Sequence, residues 1–343
     1  MEKNVRGKAR GMRGIAMYDI TALGESLIDF TPSGVNDMGI QLYGCNPGGA
    51  PANFLAMNAK LGGRVAFIGK VGDDAFGSFL EKTMVEGGID VKGLRKSKEV
   101  PTTLAFVQLS DTGDRTFSFY RKPGADIMLT REEVDTGIVE NTRVFHFGTL
   151  SMTDEPSRSA TFYAVDLAKK AGALISYDPN YRPALWDSPE DAMAMMQKGV
   201  PLADIIKVSD EEMTLMTGET GAEAGARKLL DQGAALVLVT GGEKGAFYMN
   251  HVCCGALPAY DVKVVDTTGS GDAFLGALMY RLKGLDRDAI AHLPEGTLRD
   301  AVLFGNAAGG LTATARGAIP AMPDEAGILA CMREMPLHKA TLA

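Results

Sequence analysis

From about Tyr18 onward, short apolar runs alternate with longer stretches of helical periodicity, a pattern that confines the chain to a parallel sheet covered by helices on both faces. Six runs carry the strand signal: residues 20–23, 65–69, 144–147, 174–177, 205–208 and 236–240. Each is short and apolar and ends on, or runs into, Gly, Asp or Ser, as strands buried on both faces do. A doubly wound α/β domain is therefore expected, with ligands at the carboxyl ends of its strands.

One segment breaks the alternation. Residues 102–109 and 115–121 are both β-rich and flank the turn-forming cluster Asp111-Thr112-Gly113-Asp114, which reads as an antiparallel hairpin. It can extend an edge of the main sheet, or it can join residues 31–45 in a small separate sheet that covers a binding cleft. At 343 residues the chain fits one large core with such an appendage, and residues 17–338 are taken as that domain.

Charge and composition narrow the partners. A net charge of -8 disfavours general attraction to nucleic acid or an anionic membrane, so an anionic ligand needs a locally positive pocket. The longest apolar stretches, such as residues 234–239, are far short of the roughly 20 residues that span a bilayer. Residues 1–16 carry Lys3, Arg6, Lys8, Arg10 and Arg13 without the apolar core of a secretion signal, and read as a loose basic extension. Cys45, Cys253, Cys254 and Cys331 lack metal-ligand spacing, which points to a reducing cytoplasm.

The most chemically specific run is Val264-Val265-Asp266-Thr267-Thr268-Gly269-Ser270-Gly271-Asp272, read as an apolar strand entering a glycine-rich turn before an amphipathic helix over 273–282. Gly269 and Gly271 let the turn aim several N–H groups at one point, and the helix N-terminus adds positive potential, so the turn suits phosphate oxygens. With Ser270 available to cap the helix, Asp272 is free to accept a hydroxyl proton; the alternative is an acidic first-turn residue favoured by the helix dipole. No Gly-Lys-Ser or Gly-Lys-Thr follows a glycine-rich turn, and no dinucleotide fingerprint follows the first strand, where Gly24-Glu25-Ser26 stands instead. A P-loop enzyme and a nicotinamide-dependent oxidoreductase are both disfavoured.

This run resembles the second signature of the ribokinase-like (PfkB-type) sugar kinases, Asp-Thr-x-Gly-x-Gly-Asp. The resemblance implies that Asp272 is the catalytic base and that Gly269, Ser270 and Gly271 form the anion hole. The family's first signature is also matched, by Asn46-Pro47-Gly48-Gly49-Ala50-Pro51-Ala52-Asn53 and, further on, Gly69-Lys70-Val71-Gly72-Asp73-Asp74. There Gly48 and Gly49 permit close approach to a sugar ring, and Asn53 offers donor and acceptor to vicinal hydroxyls. In Gly24-Glu25-Ser26-Leu27-Ile28-Asp29, Asp29 stands where the family places a sugar-hydroxyl acceptor, unless it is only a solvated strand end.

Other segments extend the likeness from Tyr18 to about Pro323. Asp178-Pro179-Asn180-Tyr181-Arg182 is similar to a segment of fructokinases and 2-keto-3-deoxygluconate kinases, which puts Arg182 near substrate or phosphate unless it merely pairs with Asp178 or Asp187. With Arg121 in Phe119-Tyr120-Arg121-Lys122, it gives the substrate side. Lys207-Val208-Ser209-Asp210-Glu211-Glu212 occupies the place of an Asn-x-x-Glu motif; it implies Lys207 on the nucleotide side and Glu212 as a magnesium residue acting through water, although Ser209 replaces the asparagine. Thr240, Gly242 and Gly245 resemble a nucleotide-phosphate loop, with a simple hairpin turn as the alternative at Lys244-Gly245, and Asn306 resembles the adenine-side helix. Asp266 and Thr268 stand where relatives hold a monovalent cation, which suggests potassium.

The resemblance thus implies a three-layer α/β/α sandwich with a β lid from about 30–44 and 99–122, ATP and Mg²⁺ as cofactors, and phosphoryl transfer to a sugar hydroxyl. Fructose is the first-choice acceptor, with 2-keto-3-deoxygluconate and an aminoimidazole or other riboside as alternatives. A sugar-binding or sensing protein without turnover is the reading of another class. A lid with an apolar face can pair two subunits as a homodimer or cover only its own site.

Overall fold

A computed structural model of the chain describes residues 17–109 and 115–342; the basic extension 1–16 and the hairpin turn 111–114 lie outside them. Thirteen strands are described: β1 (Tyr18–Leu23), β2 (Leu27–Val35), β3 (Gln41–Gly48), β4 (Val65–Gly72), β5 (Ile89–Ser97), β6 (Leu104–Leu109), β7 (Arg115–Tyr120), β8 (Thr142–Phe147), β9 (Leu174–Tyr177), β10 (Ile205–Ser209), β11 (Leu236–Thr240), β12 (Ala246–Asn250) and β13 (Cys254–Leu257). Nine of them form one sheet in the order β13-β12-β11-β10-β9-β8-β1-β4-β5, parallel except for β12 and β13 at one edge. All six strand runs expected from the sequence lie in this sheet.

Side-chain alternation divides the core into two halves. Leu236 and Leu238 join one buried cluster with helices Ala50–Lys60, Ser270–Arg281 and Glu295–Thr312. Val237 and Val239 point the other way, toward helices Ser157–Lys170 and Ala222–Leu230. Strands covered on both faces have no polar side to keep, which is why their sequences are continuous apolar runs.

The β-rich hairpin of β6 and β7 does not extend the main sheet. It forms a second sheet of order β3-β2-β6-β7, in which β2 pairs antiparallel with β3 and parallel with β6. Phe30 and Phe106 stack at 4.8 Å between ring centroids within it. Because only Gly24, Glu25 and Ser26 separate β1 from β2, this small sheet begins at the ligand-binding edge of the large one.

Two local expectations fail. Val264 and Val265 do not form a strand: they are 58 % and 47 % exposed, and the N–H groups of Val265 and Asp266 both donate to the Ala313 carbonyl at the end of a helix. The following helix starts at Ser270 rather than residue 273, and its N-cap is Gly269, with no side-chain cap from Ser270. Strand β5 is also absent from the sequence reading, because Lys92, Arg95 and Lys96 interrupt its apolar pattern; charge of this kind suits an edge strand.

Candidate active site

Two clefts meet at the start of helix Ser270–Arg281. The first, about 590 Å³, is lined by Asp29, Gly49, Asn53, Arg182, Lys207 and Asp272 among others, and lies between the two sheets. The second, about 260 Å³, includes Thr240, Gly242, Gly245 and Asn306. Thr267 and Gly271 line both.

Local backbone geometry builds the junction. Gly269 has φ 76°, and a Cβ there would stand 2.4 Å from Ala318 Cβ, so glycine is required both by conformation and by space. In this turn Ser270 N–H donates to the Thr267 carbonyl at 3.2 Å, and the first-turn N–H groups that follow it are left for the junction. Ser270 Oγ is buried without a hydrogen-bond partner and lines the second cleft.

Asp272, in the first helical turn, is 9 % exposed and faces the first cleft. Asn53 Nδ2 donates to its Oδ2 at 2.9 Å, and Asn180 Nδ2 approaches Oδ1 at 3.5 Å. Burial, reinforced by the nearby Asp178 carboxylate, pushes Asp272 up to about 6, with Lys207, the Asn53 hydrogen bond and Arg182 pulling against them. A carboxylate serving only the helix dipole would be solvated; this one is held in a buried network.

Asn53 is oriented by that bond, and its own Oδ1 is left buried and without a partner. An unsatisfied buried acceptor costs about 1–3 kcal/mol unless a ligand supplies a donor. Asp29, on β2, is pushed up to about 7 by burial and by the Asp266 and Asp272 charges, against the pull of Arg182. Gly48 makes room for it, since a Cβ at Gly48 would lie 2.1 Å from Asp29 Oδ2. Gly49, with φ 111°, caps helix Ala50–Lys60, where a Cβ would lie 2.5 Å from the Glu25 carbonyl oxygen.

Arg182 makes no ion pair among the described residues; its one hydrogen bond is from Nη1 to the Tyr181 carbonyl, and its guanidinium lines the first cleft. Asp178, one of its expected partners, is bound instead to Lys207 at 2.9 Å, and both are buried. Burial works against the Lys207 charge, yet Asp178, Glu212 and Asp272 more than offset it, and the ammonium is held more firmly protonated than usual. It stands over the glycine turn: a Cβ on Gly271 would be 3.0 Å from Lys207 Nζ.

Glu212 is buried and tied down. Its Oε1 accepts from Tyr181 N–H at 2.6 Å and its Oε2 from Ser209 N–H, completing a reciprocal cap with the Ser209 hydroxyl. Asp266 accepts from Thr268 N–H and Oγ1 and from Gly317 N–H, which fastens the glycine turn to the loop beside Ala318. Among the described residues there is no cluster of three or more His, Cys, Asp or Glu suited to a metal ion. The first cleft lining includes the carboxylates of Glu211 and Glu212, of which Glu212 already accepts a backbone N–H at each oxygen, so a Mg²⁺ there would be held mainly by phosphate oxygens and water.

Arg121 is not brought to the cleft. It is 4 % exposed and bound to Asp126 at 2.7 Å, to Thr153 Oγ1 and to the Leu150 carbonyl, behind the wall. Glu25, by contrast, was not singled out from the sequence and lines the first cleft. Its Oε1 accepts from Ala50 N–H at 2.8 Å, and burial pushes its carboxyl up to about 7. The only available signal was its position just after the first strand. On the second cleft, Thr240 to Ala246 is a tight connection between antiparallel strands β11 and β12, so the hairpin geometry and the cleft lining coincide. Asn306 directs its Nδ2 at the Leu257 and Pro258 carbonyls.

A family model described as pfkB family carbohydrate kinase matches residues 14–325. The chain belongs to this family. It is 43 % identical to fructokinase-1 of Oryza sativa subsp. japonica over 316 residues, covering 91 % of this chain and 97 % of that one. Among solved structures, Xylella fastidiosa fructokinase with bound ATP superposes with a TM-score of 0.85 at 33 % identity, covering 93 % and 99 % of the two chains. Vibrio cholerae fructokinase in a fructose, ADP and calcium ion bound form gives a TM-score of 0.82 at 35 % identity, covering 92 % and 99 %. As a pfkB carbohydrate kinase, the chain is a phosphotransferase acting on a sugar hydroxyl. Among its described residues no helix is long and apolar enough to cross a membrane.

Proposed function

We propose that this kinase transfers the γ-phosphoryl group of ATP to a hydroxyl of fructose. The observation that carries the reading is the pairing of Asn53 with Asp272 in the first cleft, one residue from the Gly271 backbone that the two clefts share. A sugar hydroxyl held there has a buried carboxylate to take its proton and lies on the route to a phosphate at the glycine turn.

In this reading Asp29, Asn53 and Arg182 bind the sugar, Gly48 and Gly49 shape the floor beneath it, and Asp272 accepts the proton. The N–H groups at Gly269 and Gly271 and the Lys207 ammonium stabilise charge on the phosphoryl oxygens in flight, whereas the expected third donor, Ser270 N–H, is engaged by the Thr267 carbonyl. Thr240, Gly242, Gly245 and Asn306 shape the nucleotide cleft. Mg²⁺, when bound, would neutralise phosphate charge, and Glu212 is the residue that would act on it through water. Asp266 and Thr268 anchor the turn, and their carboxylate and hydroxyl oxygens are the groups that would meet a potassium ion there. The small sheet excludes water from the cleft; exposed Val35, Met38, Ile40, Leu42 and Tyr43 at its outer end are the surface through which a homodimer forms. Four free cysteines agree with a cytoplasmic setting.

The test is a coupled ADP-release assay with fructose, 2-keto-3-deoxygluconate and aminoimidazole riboside. Fructose is expected to give the highest kcat/KM. A higher value with another acceptor would overturn the substrate assignment, and ADP release with none of them would favour a non-catalytic sugar-binding role.

A further inference from the structure

The second cleft has a wall that the family match does not include. The matched region ends at residue 325, and beyond helix Glu325–Glu334 the chain turns back along the edge of the cleft. There Asp261 N–H donates to the Pro336 carbonyl at 2.8 Å, Tyr260 and Leu337 form an antiparallel bridge, and His338 N–H donates to the Ala259 carbonyl at 2.7 Å. Leu342, only 7 % exposed, fastens the far end against Gly241, where a Cβ would stand 2.5 Å from Leu342 Cδ2.

This track carries the His338 side chain into the cleft lining beside Tyr260, Val262 and Val264. Two features of the place call for a ligand. His338 Nδ1 is buried without a hydrogen-bond partner, and Val264 is 58 % exposed. Asn306 has already directed its amide donor at two backbone carbonyls. A flat group with an apolar face and a polar edge satisfies both features, and the base of a nucleoside triphosphate is such a group; its phosphates would point to the glycine turn at the other end of the lining.

We infer that His338, presented by the C-terminal segment, hydrogen-bonds the edge of the purine base and sets the preference for adenine. The inference rests on the assignment of this cleft to ATP. Imidazole Nδ1 donates or accepts according to tautomer, and an adenine edge offers an amino donor beside a ring-nitrogen acceptor. A guanine edge carries a carbonyl where adenine has the amino group, so the contact also discriminates.

Steady-state kinetics with ATP and GTP at saturating fructose test this on the full chain, using His338→Phe, which keeps a flat ring, and His338→Asn, which restores a polar atom near the Nδ1 position. His338→Phe is expected to raise KM for ATP about tenfold, to narrow the preference for ATP over GTP, and to leave kcat and the sugar KM unchanged; His338→Asn recovers most of the loss. An ATP KM within twofold of the parent in His338→Phe, or an equal loss for both nucleotides, would overturn it. Gly310→Leu separates the two levels of the argument, because it fills the cleft while its Cβ meets nothing closer than Val262 Cγ2 at 3.7 Å. If Gly310→Leu weakens ATP binding and His338→Phe does not, His338 is wrongly assigned. If neither does, the cleft itself is not the nucleotide site.

Discussion

Asp272 and Asp29 face one cleft, and both carboxyls are held above the ordinary carboxylate range, at about 6 and about 7, chiefly by burial. A proton acceptor works when ionised, so kcat/KM should fall as pH drops from about 7 through 6, the range in which these neighbours take up protons as a coupled pair. The Lys207 charge favours ionised Asp272, so Lys207→Met should move the acid limb to higher pH as well as lowering kcat by about 10²-fold. A pH–rate profile of the two proteins checks it; an unmoved limb would show that Lys207 does not act on Asp272. That Asp272 and Asn53 lie in the cleft was legible because each sits at fixed spacing from glycines that a tight turn explains. The Lys207–Asp178 pair was not, since its partners are 29 residues apart and meet only because β9 and β10 are neighbours.

Arg121 shows what a local motif hides at the scale of the element. It immediately follows β7 and fixes the end of that strand to the turn Ala125–Met128 through Asp126, and to the segment at Leu150 and Thr153. Both side chains of the pair are almost fully buried, at 4 % and 2 % exposure. Removing one partner strands a buried charge, so Arg121→Met should lose about 3–5 kcal/mol of stability, while Arg121→Met combined with Asp126→Leu should recover much of it. Denaturant titration of the three proteins measures this. A raised sugar KM at unchanged stability would instead return Arg121 to the substrate. Elsewhere, element type was legible wherever both faces of a strand are buried. Val264 and Val265 misled because apolar character alone does not supply a pairing partner, and their exposed side chains line the second cleft at Val264 instead. Helix Ser270–Arg281 begins earlier than its apolar pattern because Gly269, with its positive φ, starts it rather than a side-chain cap.

The whole molecule places two clefts at one helix start, with the small sheet over the first and the hairpin connection and C-terminal segment bounding the second. The layered architecture and its parallel core could be read from the alternation of runs. The alternation alone left the separate small sheet open, since a hairpin pattern is the same whether it extends a main sheet or leaves it; the family resemblance implied it, and the parallel pairing of β2 with β6 bears it out. Once the clefts share Gly271, the central claim becomes a matter of one proton: the acceptor hydroxyl gives it to Asp272 as the phosphoryl group crosses. The most direct measurement is turnover of Asp272→Asn, with sugar and ATP binding followed by calorimetry in the same preparation. Loss of kcat by about 10²–10⁴-fold with both dissociation constants within a few-fold of the parent is the expected result. Turnover near that of the parent would contradict the account.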